Sequence, residues 1–174
     1  PYSSRSVYAL HPLYLVPDEL LVGMSLPQEI RDEAEELRCS LNSLDDMDYE
    51  KTLAAKLQLA QQAFAYVGGE DALSTMLGFD NFVRENEAWL QPYAAFCFLQ
   101  SVTGTSEHWT WGEWAKPSTQ LIERLTSRES LHFRSIAFTY FVQFALHRQL
   151  LETSRFAESL GIALKGDLPI GVDN

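Results

Sequence analysis

Two stretches of this chain hold residues that could do chemistry. The first is "GDLPIGVD", where Asp167 follows Gly166 and precedes Leu168 and Pro169 inside an apolar run. A carboxylate in such a run is costly to bury unless it is hydrogen-bonded or paired. At the C-terminal end of a parallel strand, proteins accept that cost for function. Asp167 therefore reads either as a functional carboxylate or as a strand residue satisfied by its neighbours. The second stretch is "HWTWGEW", with Trp109, Trp111 and Trp114. Its rings could stack on the flat apolar face of a sugar. They could equally pack the loop onto neighbouring helices. Trp89 lies in an apolar helical stretch and reads as core.

Other chemistries find little support. His11, His108, His132 and His147 show no HxxxH or HxxE spacing, so a metal site built from them is not expected. No GxSxG, P-loop or GxGxxG occurs. The runs "DELL", "RDEAEEL" and "DDMDYE" read as solvated faces. Cys39 and Cys97 each fall in a predicted helix without a CxxC partner, which predicts buried free thiols and a reducing, cytoplasmic setting. No cofactor is expected.

These residues must be positioned by mostly helical elements. "PYSSRSVYALHPLYL" has loop chemistry, with Pro12 blocking helix continuation. A helix is predicted over Gln28–Cys39, entered at Pro27, with Ile30, Ala34 and Leu37 on one stripe. Asp48 is a natural N-cap for a helix over Lys51–Tyr66, in which Leu53, Leu57, Ala60 and Phe64 recur at helical spacing and Gly68–Gly69 form the stop. Short turns are predicted around Gly78, then a helix over Glu87–Val102. The longest helix is predicted from Ser127 or Arg128 to Leu160, ended by Gly161. A strand is predicted over Ile162–Ile170. One strand cannot satisfy its own backbone ladder. It must pair with the front segment, or with partners outside the chain.

Composition sets outer bounds. The chain has 174 residues, 46% hydrophobic and 12% aromatic, as befits a folded domain. Its 24 acidic and 13 basic residues give a net charge of -11, which disfavours nucleic acid and anionic membranes as partners. No stretch reaches the roughly 18 apolar residues of a membrane span.

The motifs "PYSSRSVYALHPLYL", "ENEAWLQPYAAFCFL", the paired tryptophans of the aromatic loop and "LGIALKGDLPIGVD", in this order, resemble the amylomaltases, or 4-alpha-glucanotransferases. "LKGDLPIGVD" with "SSRSVYALHPLYL" is most similar to the branch of the plant-cytosolic disproportionating enzymes. The resemblance implies an α/β fold. This would be a partial (β/α)8 barrel with a large helical insertion, so that the chain itself is predominantly helical. It implies barrel loop and strand in residues 1–26, helical insertion and aromatic loop in 27–126, and a barrel helix and strand in 127–174.

The implied reaction is retaining transfer of α-1,4-linked glucosyl or maltosyl units between malto-oligosaccharides or glucans. An aspartate nucleophile and a glutamate acid/base carry it, both expected downstream of "GDLPIGVD". By resemblance, Tyr2 lines the donor-sugar site and Asp167 supports the site near the nucleophile. His11 stands where many members carry Asn, and its role is open. The chain is expected to be a truncated piece of the catalytic domain, inactive alone. The competing expectation is a non-catalytic helical interaction or carbohydrate-binding module derived from the same family.

Overall fold

The computed structural model describes residues 3–4, 6–21, 25–166 and 171–172. Helix dominates, as expected. Strand is confined to β1, Ser3–Ser4, and β2, Gly171–Val172, which pair in parallel with Ser3 opposite Gly171 and Ser4 opposite Val172. Of the two pairings left open by the sequence, the front segment is the one observed. The predicted strand begins too early, because Ile162–Gly166 carry no strand and Ile162 and Leu164 are exposed. Among the described residues the sheet has only these two strands, so nothing satisfies a ladder at 162–166. Leu168 and Ile170 lie outside the described residues.

The chain divides into two compact units, residues 1–68 with 142–174, and residues 69–141. In the first, two 3-10 turns at Pro12–Tyr14 and Pro17–Glu19 precede α1, Gln28–Asn42, and α2, Tyr49–Tyr66. The Asp48 carboxylate accepts the Lys51 N–H at 3.0 Å and caps α2. Leu59, Ala60, Ala63 and Phe64 are buried along one face of α2, while Leu53 and Leu57 are half-buried. Glu33 of α1 accepts from Gln58 at 2.6 Å and Gln62 at 2.8 Å, tying the two helices together on the polar side. Arg38 bridges from α1 to Asp18 in the second turn. Cys39 is exposed, not buried, because it lies on the side of α1 away from Ala34, the buried residue of that helix.

In the second unit α3 runs unbroken over Phe79–Thr103. It replaces the predicted short turn at Asp80–Asn86 and separate helix at Glu87–Val102. Pro92 lies mid-helix and supplies no N–H to the turn before it. Burial of Phe79, Phe82, Leu90, Ala94 and Leu99 along the helix offsets that loss. A short helix, α4 over Thr119–Thr126, is capped by Ser118 and packs on α3. The predicted helix from Ser127 to Leu160 is thus too long at its start. Ser127 and Ser130 hydroxyls accept the N–H groups of Glu129 and His132, which holds 127–132 as a turn until α5 begins. α5 spans Phe133–Ser159; Ile136 and Phe141 are buried in its part belonging to the second unit, and Val142 and Leu146 in its part belonging to the first.

Candidate functional site

Both residues singled out from the sequence, Tyr2 and Asp167, lie outside the described residues. Their nearest described neighbours in β1 and β2 are ladder partners, so the two motif-bearing segments meet in one sheet. The segment leading on from β1 is fixed residue by residue. The Ser6 hydroxyl accepts the N–H groups of Tyr8 and Ala9 at 3.1 and 3.3 Å, forming a tight turn. His11, whose role the sequence leaves open, accepts the Leu13 N–H on Nδ1 at 3.2 Å and caps the first 3-10 turn.

The main anchors of this segment are two glutamines of α5. Gln143 Oε1 accepts the Leu10 N–H at 3.0 Å, and its Nε2 donates to Leu10 O at 2.9 Å. Gln149 does the same to Val16, with both bonds at 3.0 Å, and donates also to Glu19 O at 3.3 Å. Both glutamines are buried. Each such bond is worth roughly 0.5–1.5 kcal/mol net, and losing one partner leaves a buried polar group unsatisfied at greater cost. Lys56 of α2 donates to Leu13 O at 2.5 Å, and partial burial pushes its ammonium pKa down. Arg148 donates to Glu19 O. Its pKa is lowered chiefly by burial, and its Nε and Nη1 are buried without a hydrogen-bond partner among the described residues.

Sequence reasoning misses these anchoring residues. One signal is present for the first: Gln143 interrupts the apolar run "FTYFVQFAL", and a polar amide there must find partners.

The aromatic loop belongs to the second unit. Trp111 is buried, its ring 5.2 Å from Phe96, and its indole N–H lacks an acceptor among the described residues. Trp114 is half-buried, and Trp109 is 58% exposed with His108 edge-on at 5.3 Å. The loop therefore divides: Trp111 packs, while Trp109 stays available. Trp89 is half-buried and donates to Asn86 at 2.8 Å. His132 and His147 are exposed, and the His132 ring lies 4.7 Å from Phe98. A cleft of 470 Å³ is lined by residues including Trp114, Arg124, Glu129 and His132. Tyr140 is buried, and desolvation pushes its phenol up to about 12 against a hydrogen bond with Thr126.

Among the described residues no group of His, Cys, Asp and Glu could hold a metal ion, and no helix is long and apolar enough to cross a membrane.

Comparison with known proteins matches the glycoside hydrolase 77 family, 4-alpha-glucanotransferase, over residues 1–174. The chain is 43% identical over 173 residues to the 4-alpha-glucanotransferase DPE2 of Oryza sativa subsp. japonica, covering 99% of this chain and 18% of the relative. It is 28% identical over 177 residues to a 4-alpha-glucanotransferase of Synechocystis sp., covering 99% and 33%. It is 36% identical over 91 residues to that of Thermus thermophilus, covering 51% and 18%. The chain thus spans between about a fifth and a third of the length of these curated relatives. No solved structure matches it significantly. Matched along its whole length, the chain belongs to the 4-alpha-glucanotransferase family.

Proposed function

We propose that this chain forms part of the catalytic domain of a cytoplasmic 4-alpha-glucanotransferase, which moves glucosyl or maltosyl units from one malto-oligosaccharide or glucan to another with retention of the α-1,4 linkage. The observation that carries the reading is the parallel pairing of Ser3–Ser4 with Gly171–Val172. Parallel neighbours require a crossover connection, and in a (β/α)8 barrel every strand is parallel to the next. Residues 1–26 and 127–174 are then barrel segments, and residues 27–126 carry the helical insertion and aromatic loop. The exposure of Leu150, Phe156, Leu160, Ile162 and Leu164 fits a face that other parts of a longer protein cover.

Tyr2 lines the donor-sugar site in this reading, and Asp167 accepts hydrogen bonds near the nucleophile. The nucleophilic aspartate and the acid/base glutamate come from the rest of that longer protein. A retaining mechanism needs those two carboxyls about 5–5.5 Å apart. One attacks the anomeric carbon and expels the leaving sugar, which takes a proton from the other. A sugar hydroxyl, deprotonated by that second carboxylate, then attacks the same anomeric carbon and displaces the first carboxylate from the glycosyl-enzyme ester. Transfer prevails over hydrolysis where the acceptor site keeps water out.

The test supplies the natural protein that carries this chain with maltotriose and labelled glucose. Labelled malto-oligosaccharides with α linkages are expected. Release of free sugars alone, or no turnover, would overturn the reading.

A further inference from the structure

Gln143 and Gln149 each place both halves of a buried amide on one residue of the front segment, Leu10 and Val16 respectively. The two pairs share the same sequence offset of 133 residues, so the segment runs alongside α5 in a single register. Six helical residues advance about 9 Å, and the compact turn at Pro12–Tyr14 shortens the front segment to match. A primary amide carries donor and acceptor in one plane, which a carboxylate or an alkyl chain does not. Sliding the segment by one residue would break all four bonds and leave both buried amides unsatisfied. Upstream, the Ser6 hydroxyl holds the turn at Tyr8 and Ala9, and Ser3 and Ser4 pair with Gly171 and Val172.

We infer that Gln143 and Gln149 are positioning residues for the donor-sugar site: they set the register of residues 10–16 on α5 and, through it, the course of the front segment that carries the Ser3–Ser4 strand. This rests on the function proposed above. The glutamines touch no sugar. They act through the backbone they hold, and a small misplacement of a site-lining group is enough to slow a reaction substantially.

The experiment measures transfer from maltotriose by the natural protein and by its Gln143→Leu, Gln149→Leu, Gln143→Glu and Gln149→Glu variants, well below every thermal midpoint. Leu73→Ala, a buried position in the other unit, is the control for general destabilisation. The expected result is a fall in kcat of roughly ten- to a hundred-fold in the glutamine variants. Changes in KM are expected to be smaller, with faster amide exchange confined to residues 6–21. The control should retain turnover within about twofold despite a comparable drop in midpoint. Wild-type turnover in the Leu variants would overturn the inference, as would activity that follows midpoint alike in clamp and control variants. Failure of both the Leu and the Glu forms to fold would also overturn it, leaving the amides as fold residues. Absence of transfer by the wild type would instead remove the functional reading underneath.

Discussion

Ser3 stands opposite Gly171 in a parallel ladder that joins the two motif-bearing segments of the chain. Tyr2 precedes the first partner in sequence, and Asp167 lies shortly before the second. The ladder is therefore where the front segment and the C-terminal segment of the chain converge.

Asp167→Asn in the natural protein keeps the side-chain shape and removes the charge. A charge-assisted hydrogen bond in a desolvated site is worth about 1.5–3 kcal/mol. If it strengthens in the transition state, transfer should slow by roughly ten- to a hundred-fold, with a smaller change in thermal midpoint. Unchanged turnover would leave Asp167 as a strand residue.

Trp111 and Trp109 should separate cleanly. Trp111→Ala empties a buried position beside Phe96 and should cost about 3–5 kcal/mol by denaturant unfolding. Trp109→Ala removes an exposed ring and should change stability by less than about 0.5 kcal/mol. If the loop binds sugar, Trp109→Ala alone should abolish a maltose-dependent change in tryptophan fluorescence without altering the melt.

Gly69 has φ +65°, and a Cβ there would lie 2.7 Å from an Arg134 guanidinium nitrogen, whose ion pair with Glu70 is 2.8 Å long. Gly78 has φ +85° with open space around it. Each alanine should cost about 1–2 kcal/mol for the left-handed backbone. Gly69→Ala should cost no more than ~0.2–1 kcal/mol beyond Gly78→Ala, because it shifts only the flexible, exposed end of Arg134 and its ion pair. A Gly69→Ala cost several kcal/mol above that of Gly78→Ala in denaturant unfolding would contradict this.

Asp48 carries a pH dependence. The Lys51 backbone N–H, followed by its ammonium, holds the carboxyl below its ordinary value of 3.8. The folded pKa is thus depressed, so the stabilisation is complete above 3.8 and is lost as pH falls through the folded value. Asp48→Ala should lower the midpoint at pH 7 and narrow its difference from wild type at pH 2. A difference that persists undiminished in acid would count against the cap.

The parts legible in the sequence were those with local causes. Asp48 is readable because capping needs only residues a turn apart, and the end of α2 because Gly68 and Gly69 follow it directly. The unbroken α3 is not readable, because Pro92 is a local signal that burial of side chains along the helix from Phe79 to Leu99 overrides. α4 has eight residues and only Ser118 to announce it. The strand partner is narrowed to two options by backbone accounting, but only three-dimensional structure selects Ser3–Ser4. Gln143 shows as a polar intrusion in an apolar run of α5, whereas Gln149 follows His147 and Arg148 and does not stand out. Their partners, Leu10 and Val16, are too distant in sequence for any periodicity to find.

If the reacting carboxylates of the proposed glucanotransferase site come from other parts of a longer protein, this chain alone should transfer no sugar. The most direct measurement is disproportionation of maltotriose by the purified 174-residue chain beside the natural protein that carries it. Transfer by the natural protein and none by the chain is the expected result, since a glycosyl-enzyme needs the carboxylate pair proposed to lie elsewhere. Transfer by the chain itself, or its absence in the natural protein, would contradict it.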